Sequence, residues 1–229
     1  MQYKIMISCE HASNTIPPRY LKIFQRHTAV LETHRGWDPG ALILAKHLAK
    51  SFNAPLYYGL QSRLLIDLNR SCTNRSLFST ITRSLSKLIK QEIIEKYHTP
   101  YHQCIFNEVK NVLSRKQRVL HLSIHSFTPV LENKTRQADI GLLYDPQQNA
   151  EKFFCSSFKK RILQLDPTLK VRMNYPYKGN QDSLTTALRK TLGSQHYLGL
   201  EIEINQKLFY GRPSDWKMLQ DTISRALLD

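Results

Sequence analysis

LHLSIHSF, residues 120–127, decides how this chain is read. Its leucines and isoleucine give it the texture of a buried strand, and RVLHLSIH (118–125) is predicted as one. Yet the run carries His121 and His125 and stops on His-Ser. His121 lies inside the run and reads as a satisfied core residue. His125 lies at the carboxyl end of the strand, where sites gather in α/β sheets, so it is the functional candidate.

Other apolar runs alternate with helical patterns on either side. Strands are predicted at 3–8, 54–59, 139–145, 170–174 and 197–205, with SRLLIDLN (62–69) as a shorter extended run. Helices are predicted at 38–52, 148–165, 183–192 and from Ser214 onward. Residues 84–114 read as mostly helical, with Pro100 forcing a break or a fresh start near the middle. Asp38 precedes Pro39 in WDPGA and suits an N-cap with Pro at the first helical position. Strand and helix in alternation argue an α/β fold: a single domain over 1–229, with a mixed, largely parallel sheet flanked by helices. Residues 9–14, 69–71, 125–128 and 203–206 then fall near one rim, provided their strands are neighbours.

Composition narrows the class. Of 229 residues, 41% are hydrophobic and 22% charged, which suits a folded globule rather than a disordered chain. No apolar run approaches the ~18 residues of a membrane span, and the N-terminus reads as a first strand rather than a signal peptide. Cys9, Cys72, Cys104 and Cys155 are widely spaced without a CxxC, so reduced thiols in a cytoplasmic protein are expected. The net charge of +15 is spread along the chain without a block of five. It reads as a general attraction over a solvated surface, not a recognition code, so neither nucleic acid nor membrane is the expected partner.

His11 ends the first strand in SCEHASN, and with Asp38 and His125 it makes a plausible three-ligand zinc set. A fourth position left open to water marks a catalytic site rather than a structural one. Asp38 as ligand and Asp38 as helix cap remain equal readings at this point. If residues 62–69 are extended, Arg63, Asp67 and Asn69 share one face, with Arg70 after them. Two arginines and an amide grip carboxylates, and Asp67 would hold an arginine in place. In LGLEIEINQ, Glu201, Glu203 and Asn205 share a face, and acids in a buried strand are paired or used. His98 and His102 in YHTPYH are four apart, a metal-ligand spacing, but Pro100 interrupts and no zincin glutamate follows. A pocket or packing role is preferred for them.

As an ordered set, EHASNTIP, WDPGA, SRLLIDLNR, PYH, LHLSIHSF, IGLLYD, NYPYKG and LEIEINQ resemble the N-formylglutamate amidohydrolase family, in its shorter branch. The resemblance runs from about residue 5 to about residue 206. It implies a zinc-carboxypeptidase-like (phosphorylase/hydrolase-like) fold, one Zn2+ per chain, and hydrolysis of an N-formyl or other N-acyl amide on an acidic amino acid such as N-formylglutamate. In chain order His11, Asp38 and His125 take the metal positions, although Glu10 competes with Asp38. Glu203, rather than Glu201, matches the glutamate of the closing Glu-x-x-Gln pattern and is the implied proton carrier. Arg63 is implied as the stabiliser of an oxyanion or a carboxylate. Asn69 and Arg70 are implied as carboxylate binders, and Tyr177 and Lys178 as further pocket residues. Two rivals stand beside this expectation: a zinc peptidase or peptidoglycan-type amidase at the same site, and a non-catalytic basic nucleic-acid-binding module.

Overall fold

The computed structural model describes residues 3–193 and 196–228. Its strands are β1 (Tyr3–Cys9), β2 (Leu56–Tyr58), β3 (Arg118–Phe127), β4 (Val130–Leu131), β5 (Lys134–Thr135), β6 (Ile140–Leu143), β7 (Val171–Met173) and β8 (Tyr197–Asn205). Six of them form one sheet in the order β2-β1-β3-β8-β6-β7, while β4 and β5 pair as a separate hairpin. Neighbours run parallel except at β6 and β8, which meet antiparallel. The sheet is therefore mixed and mostly parallel, as the alternation of elements predicts.

The helices are α1 (Leu21–Phe24), α2 (Thr28–Leu31), α3 (Ala41–Phe52), α4 (Lys87–Ile93), α5 (Thr99–Ser114), α6 (Asn149–Leu165), α7 (Leu184–Leu192), α8 (Gln206–Phe209) and α9 (Pro213–Leu228). A π-helical turn, Ile94–His98, joins α4 to α5. Pro100 lies in the first turn of α5, directly after this π-turn, so the chain stays helical through the proline and the irregularity is the wide bond from Thr99 N–H to Ile94 O just before it. Among the described residues no helix is long and apolar enough to cross a membrane.

Side chains alternate across a strand, and β3 uses the two faces differently. Leu120, Leu122 and Ile124 face the larger core, with Ile7, Cys9, Leu198, Leu200 and apolar residues of α3, α6 and α9. Helix α3 presents Ala41, Leu44, Ala45 and Leu48, a spacing that makes one apolar stripe. Each such leucine or isoleucine, fully buried, contributes about 1.5–3 kcal/mol. On the other face Met6, Val119 and Tyr197 pack against α5 and α7. Beyond them, toward the carboxyl ends, that face turns polar. In register, Ser8 pairs with Ser123, Ser123 with Glu201, and His125 with Glu203. One flat face thus offers packing at its amino end and chemistry at its carboxyl end.

Two local expectations change. SRLLIDLN is not a strand; it runs through consecutive turns. Leu64, Leu65, Ile66 and Leu68 are apolar because they fill a second core with Ile16, Tyr20, Phe24, Leu77 and Ile93. Its turns close on local bonds, Leu65 N–H to Ser62 O and Arg70 N–H to Asp67 O, while the N–H groups of Ser62, Arg63 and Asp67 reach the carbonyls of Thr15, Gly36 and Leu77. Asp38 does not cap α3 either. The helix starts three residues later, behind Gly40, whose φ of 83° lies in the left-handed region. This leaves the Asp38 side chain free for other partners.

Candidate active site

His11 follows β1, and its carbonyl accepts the backbone N–H of Asp38 at 2.9 Å. That bond brings WDPG against the end of β1. Asp38 Oδ2 then lies 3.3 Å from His11 Nδ1 and 2.9 Å from His125 Nδ1, and it accepts the Ser126 N–H at 3.3 Å. The two imidazole rings approach to 4.9 Å between centroids. All three residues are buried.

The far nitrogen of each ring also meets a carboxylate. His11 Nε2 is 2.7 Å from Asp67 Oδ1, and His125 Nε2 is 3.0 Å from Glu10 Oε2. Asp67 is held in turn by the Asn69 N–H and by Arg63 Nη2, each at 2.9 Å. Glu10 accepts from Ser123 Oγ at 2.6 Å and Tyr101 Oη at 3.1 Å. Glu10 therefore faces the side of His125 opposite Asp38. Each ring is oriented between two acids, which fixes which nitrogen points inward.

Arg63 and Asp67 meet as expected, but through a turn rather than along one strand face. Arg63 Nη1 also stands 3.6 Å from Asp38. Arg70 donates to the Asp182 carbonyl. Asn69 Oδ1 accepts the Leu184 N–H at 2.8 Å and so satisfies the start of α7, while its Nδ2 lies 3.3 Å from His125 Nε2. His98 and His102 are not a metal pair. Their rings stack at 3.9 Å and each donates to a backbone carbonyl, that of Arg70 and that of Leu68. They hold the DLNR turn in place. His121 is the core residue its position suggests, bonded to Ser8 and Tyr197 at 2.7 Å each, with burial lowering its pKa to about 4.

Glu203 lies directly across from His125 on β8, and one of its carboxylate oxygens is buried without a partner. Gly141, paired with Glu203 on the other side, is required there. A Cβ at that point would meet the Tyr175 carbonyl at 1.8 Å, so only glycine lets the 174–182 loop close over the strand. Glu201 is also buried and accepts from Thr185 Oγ1 at 2.9 Å. A cavity of about 150 Å³ opens over these groups, with His11, Asp38, Arg63, Arg70 and Glu203 on its walls. Tyr177 and Lys178 also border it, exposed at the mouth.

The electrostatics follow from these contacts. Burial alone would push Asp38 and Glu10 up, but Asp38 is held well below the usual carboxylate range by His11 and His125, and Glu10 by His125 and Ser123. Arg63 and His11 do the same for Asp67. Burial opposes charge on His125 too, yet Asp38 and Glu10 raise its pKa well above the ordinary value. Glu203 differs. Burial pushes it up to about 7, with His125 and His11 opposing and Asp38 and Glu201 adding to the rise.

The donor set fits a divalent cation. Two imidazole nitrogens and one carboxylate oxygen lie within 4.8 Å of one another. Four buried carboxylates (Glu10, Asp38, Asp67 and Glu203) crowd the same spot, so added positive charge is favourable.

Loop 174–182 is braced from behind by a buried ion pair. Arg189 Nε lies 2.7 Å from Glu151 Oε1, Nη2 donates to Gly199 O on β8 at 2.8 Å, and Nη1 to Gly179 O in the loop at 3.3 Å. Arg189→Met removes the counter-charge of the buried Glu151, which keeps only the backbone N–H bonds from Asp145 and Gly199. Urea denaturation is expected to show a loss of about 3–5 kcal/mol, only partly recovered when Glu151→Leu is added, because the Asp145 and Gly199 N–H groups then lose their acceptor.

Sequence reasoning did not find Tyr101, Ser123 or the contact of Asp67 with His11. Ser123 carried a signal: it lies two residues before His125, on the same strand face. Tyr101 and the Asp67–His11 contact depend on segments far apart in the chain.

Comparison with known proteins gives a consistent answer. The sequence model of a family described as N-formylglutamate amidohydrolase matches residues 3–210. A gene product of Agrobacterium tumefaciens of known crystal structure is 28% identical, with a TM-score of 0.81, covering 99% of this chain and 91% of its own. The crystal structure of N-formylglutamate amidohydrolase from Ralstonia eutropha JMP134 aligns with a TM-score of 0.73 at 17% identity, covering 99% of this chain and 92% of its own, a likeness of fold. No curated protein matches the chain.

Proposed function

Because this chain belongs to the N-formylglutamate amidohydrolase family, we propose that it hydrolyses the N-acyl amide of an acidic amino acid, with N-formylglutamate the simplest substrate, at a single zinc ion held by His11, Asp38 and His125. The observation that carries this reading is Glu203. It is a buried carboxylate with an unpartnered oxygen, poised near neutral pH and directly across the sheet from His125. The small cavity favours a compact N-acyl amino acid over a peptide or a nucleic-acid strand.

A cation bound by the three side chains supplies Lewis acidity, which polarises the acyl carbonyl and lowers the pKa of the attacking water. Glu10 stands on the outer nitrogen of His125 and so is an orienting partner in this reading, not a ligand; Asp67 serves His11 in the same way. Glu203 takes the proton from water as its oxygen bonds to the carbonyl carbon. Arg63, always cationic, offers its remaining N–H groups to the oxyanion. Glu203 then gives the proton to the amide nitrogen as the C–N bond breaks, releasing formate and the amino acid. Arg70 and the amide of Asn69 position a substrate carboxylate, with Tyr177 and Lys178 at the mouth.

The test is formate release from N-formylglutamate by zinc-loaded protein. Turnover should vanish on chelation and return with zinc. Fully zinc-loaded protein that releases no formate from any N-formyl amino acid would overturn the reading.

A further inference from the structure

The cavity wall holds one more cation, which the scheme above leaves unused. Arg136 lies just after β5, and its guanidinium stands over two aromatic rings. Its carbon is 5.7 Å from the centroid of Phe127 and 5.3 Å from that of Tyr177, and Nη2 donates to Tyr177 Oη at 3.3 Å. These cation–π contacts and the bond to Tyr177 Oη hold the planar fork while engaging only one of its five N–H donors with a side-chain acceptor, which leaves the others for a ligand.

Its backbone is as firmly held. The N–H donates to Pro129 O at 2.8 Å, and the carbonyl accepts from Asn205 Nδ2 at 3.2 Å. Asn205 lies on β8 two residues beyond Glu203, so the proton carrier and the clamped arginine share one support.

The other cavity arginines have partners. Arg63 is paired with Asp67 and Asp38, and Arg70 donates to Asp182. Among the described residues no carboxylate lies within ion-pair distance of Arg136. A guanidinium that is oriented, borders a cavity and has no acid opposite it has the donor geometry that suits a carboxylate.

We propose that Arg136, clamped by Phe127 and Tyr177, binds the side-chain carboxylate of the substrate and makes the enzyme selective for N-acyl dicarboxylic amino acids over neutral isosteres. This rests on the amidohydrolase reading of the same cavity. Arg136 is a specificity residue here, touching the substrate far from the bond that breaks.

The test compares N-formylglutamate with N-formylglutamine, which differ only in that carboxylate, on zinc-loaded wild-type, Arg136→Gln and Arg136→Lys proteins. Calorimetric titration with glutarate and with butyrate runs beside it. Arg136→Gln is expected to raise KM for N-formylglutamate about 30-fold at nearly constant kcat, while N-formylglutamine changes less than about three-fold. Arg136→Lys, which keeps the charge but loses the planar fork, should fall between. Equal losses on both substrates, or none on either, would overturn the proposal. If wild type hydrolyses neither substrate, the amidohydrolase reading fails by itself and glutarate decides. A roughly 30-fold weakening in Arg136→Gln, with butyrate unaffected, sustains the carboxylate receptor; unchanged glutarate binding removes it.

Discussion

Glu203→Gln should lower kcat for N-formylglutamate by about a thousand-fold while leaving one zinc per chain and KM within a few-fold. The substitution keeps the shape of a fully buried side chain and removes the group that accepts and returns a proton. Natural carboxyl groups rarely lie buried with an oxygen unpartnered, and Glu203 does so in the register position facing His125. In the metal-free protein burial raises the Glu203 pKa to about 7, and at this position the carboxylate can take the proton from water and give it to the leaving nitrogen. Glu201 is the control. It lies two residues earlier on the same face but is engaged by Thr185, so Glu201→Gln should cost far less than Glu203→Gln. Equal effects of the two changes would mean that the acidic face matters only as a field. The measurement is steady-state kinetics by formate release, with metal content checked on the same samples.

His125→Asn should abolish metal retention, and with it all measurable hydrolysis. The asparagine amide reaches the place of Nδ1 and can still donate to Asp38, so the hydrogen bond that the protonated ring makes survives. What is lost is an imidazole lone pair. With one of the site's three side-chain ligands gone, the two that remain hold a cation far more weakly. Its orienting partners should show a graded version of the same loss. Replacing Asp67 by Asn leaves the His11 ring in place but weakens its orientation, at a cost of about 10–100-fold in metal affinity. Zinc analysis after gel filtration and a competition titration against a chromophoric chelator measure both.

Much of this site was legible because its residues sit where strand periodicity ends. His125 and Glu203 interrupt apolar runs at the carboxyl ends of β3 and β8, and parallel pairing of those strands sets them side by side. What was not legible depended on distant partners. SRLLIDLN reads as extended because its leucines are apolar, but they are buried by Phe24, Leu77 and Ile93 rather than by a sheet. Asp38 carries the signature of a helix cap. Only the bond between its N–H and the His11 carbonyl, across 27 residues, shows why its carboxylate turns inward instead. The competition between Glu10 and Asp38 could not be resolved from spacing, because the two acids lie on opposite nitrogens of one ring. Arg136 carries no local sequence signal for the same reason. Its meaning comes from two aromatic rings nine residues before it and 41 residues after it.

The most direct test of the account is X-ray absorption at the zinc edge on the loaded protein, repeated on His125→Asn reloaded at high zinc. A nitrogen and oxygen shell at about 2.0–2.2 Å containing two imidazoles is expected, one of which disappears in the variant. A spectrum that His125→Asn leaves unchanged, or one dominated by sulfur, would place the cation elsewhere and contradict the account.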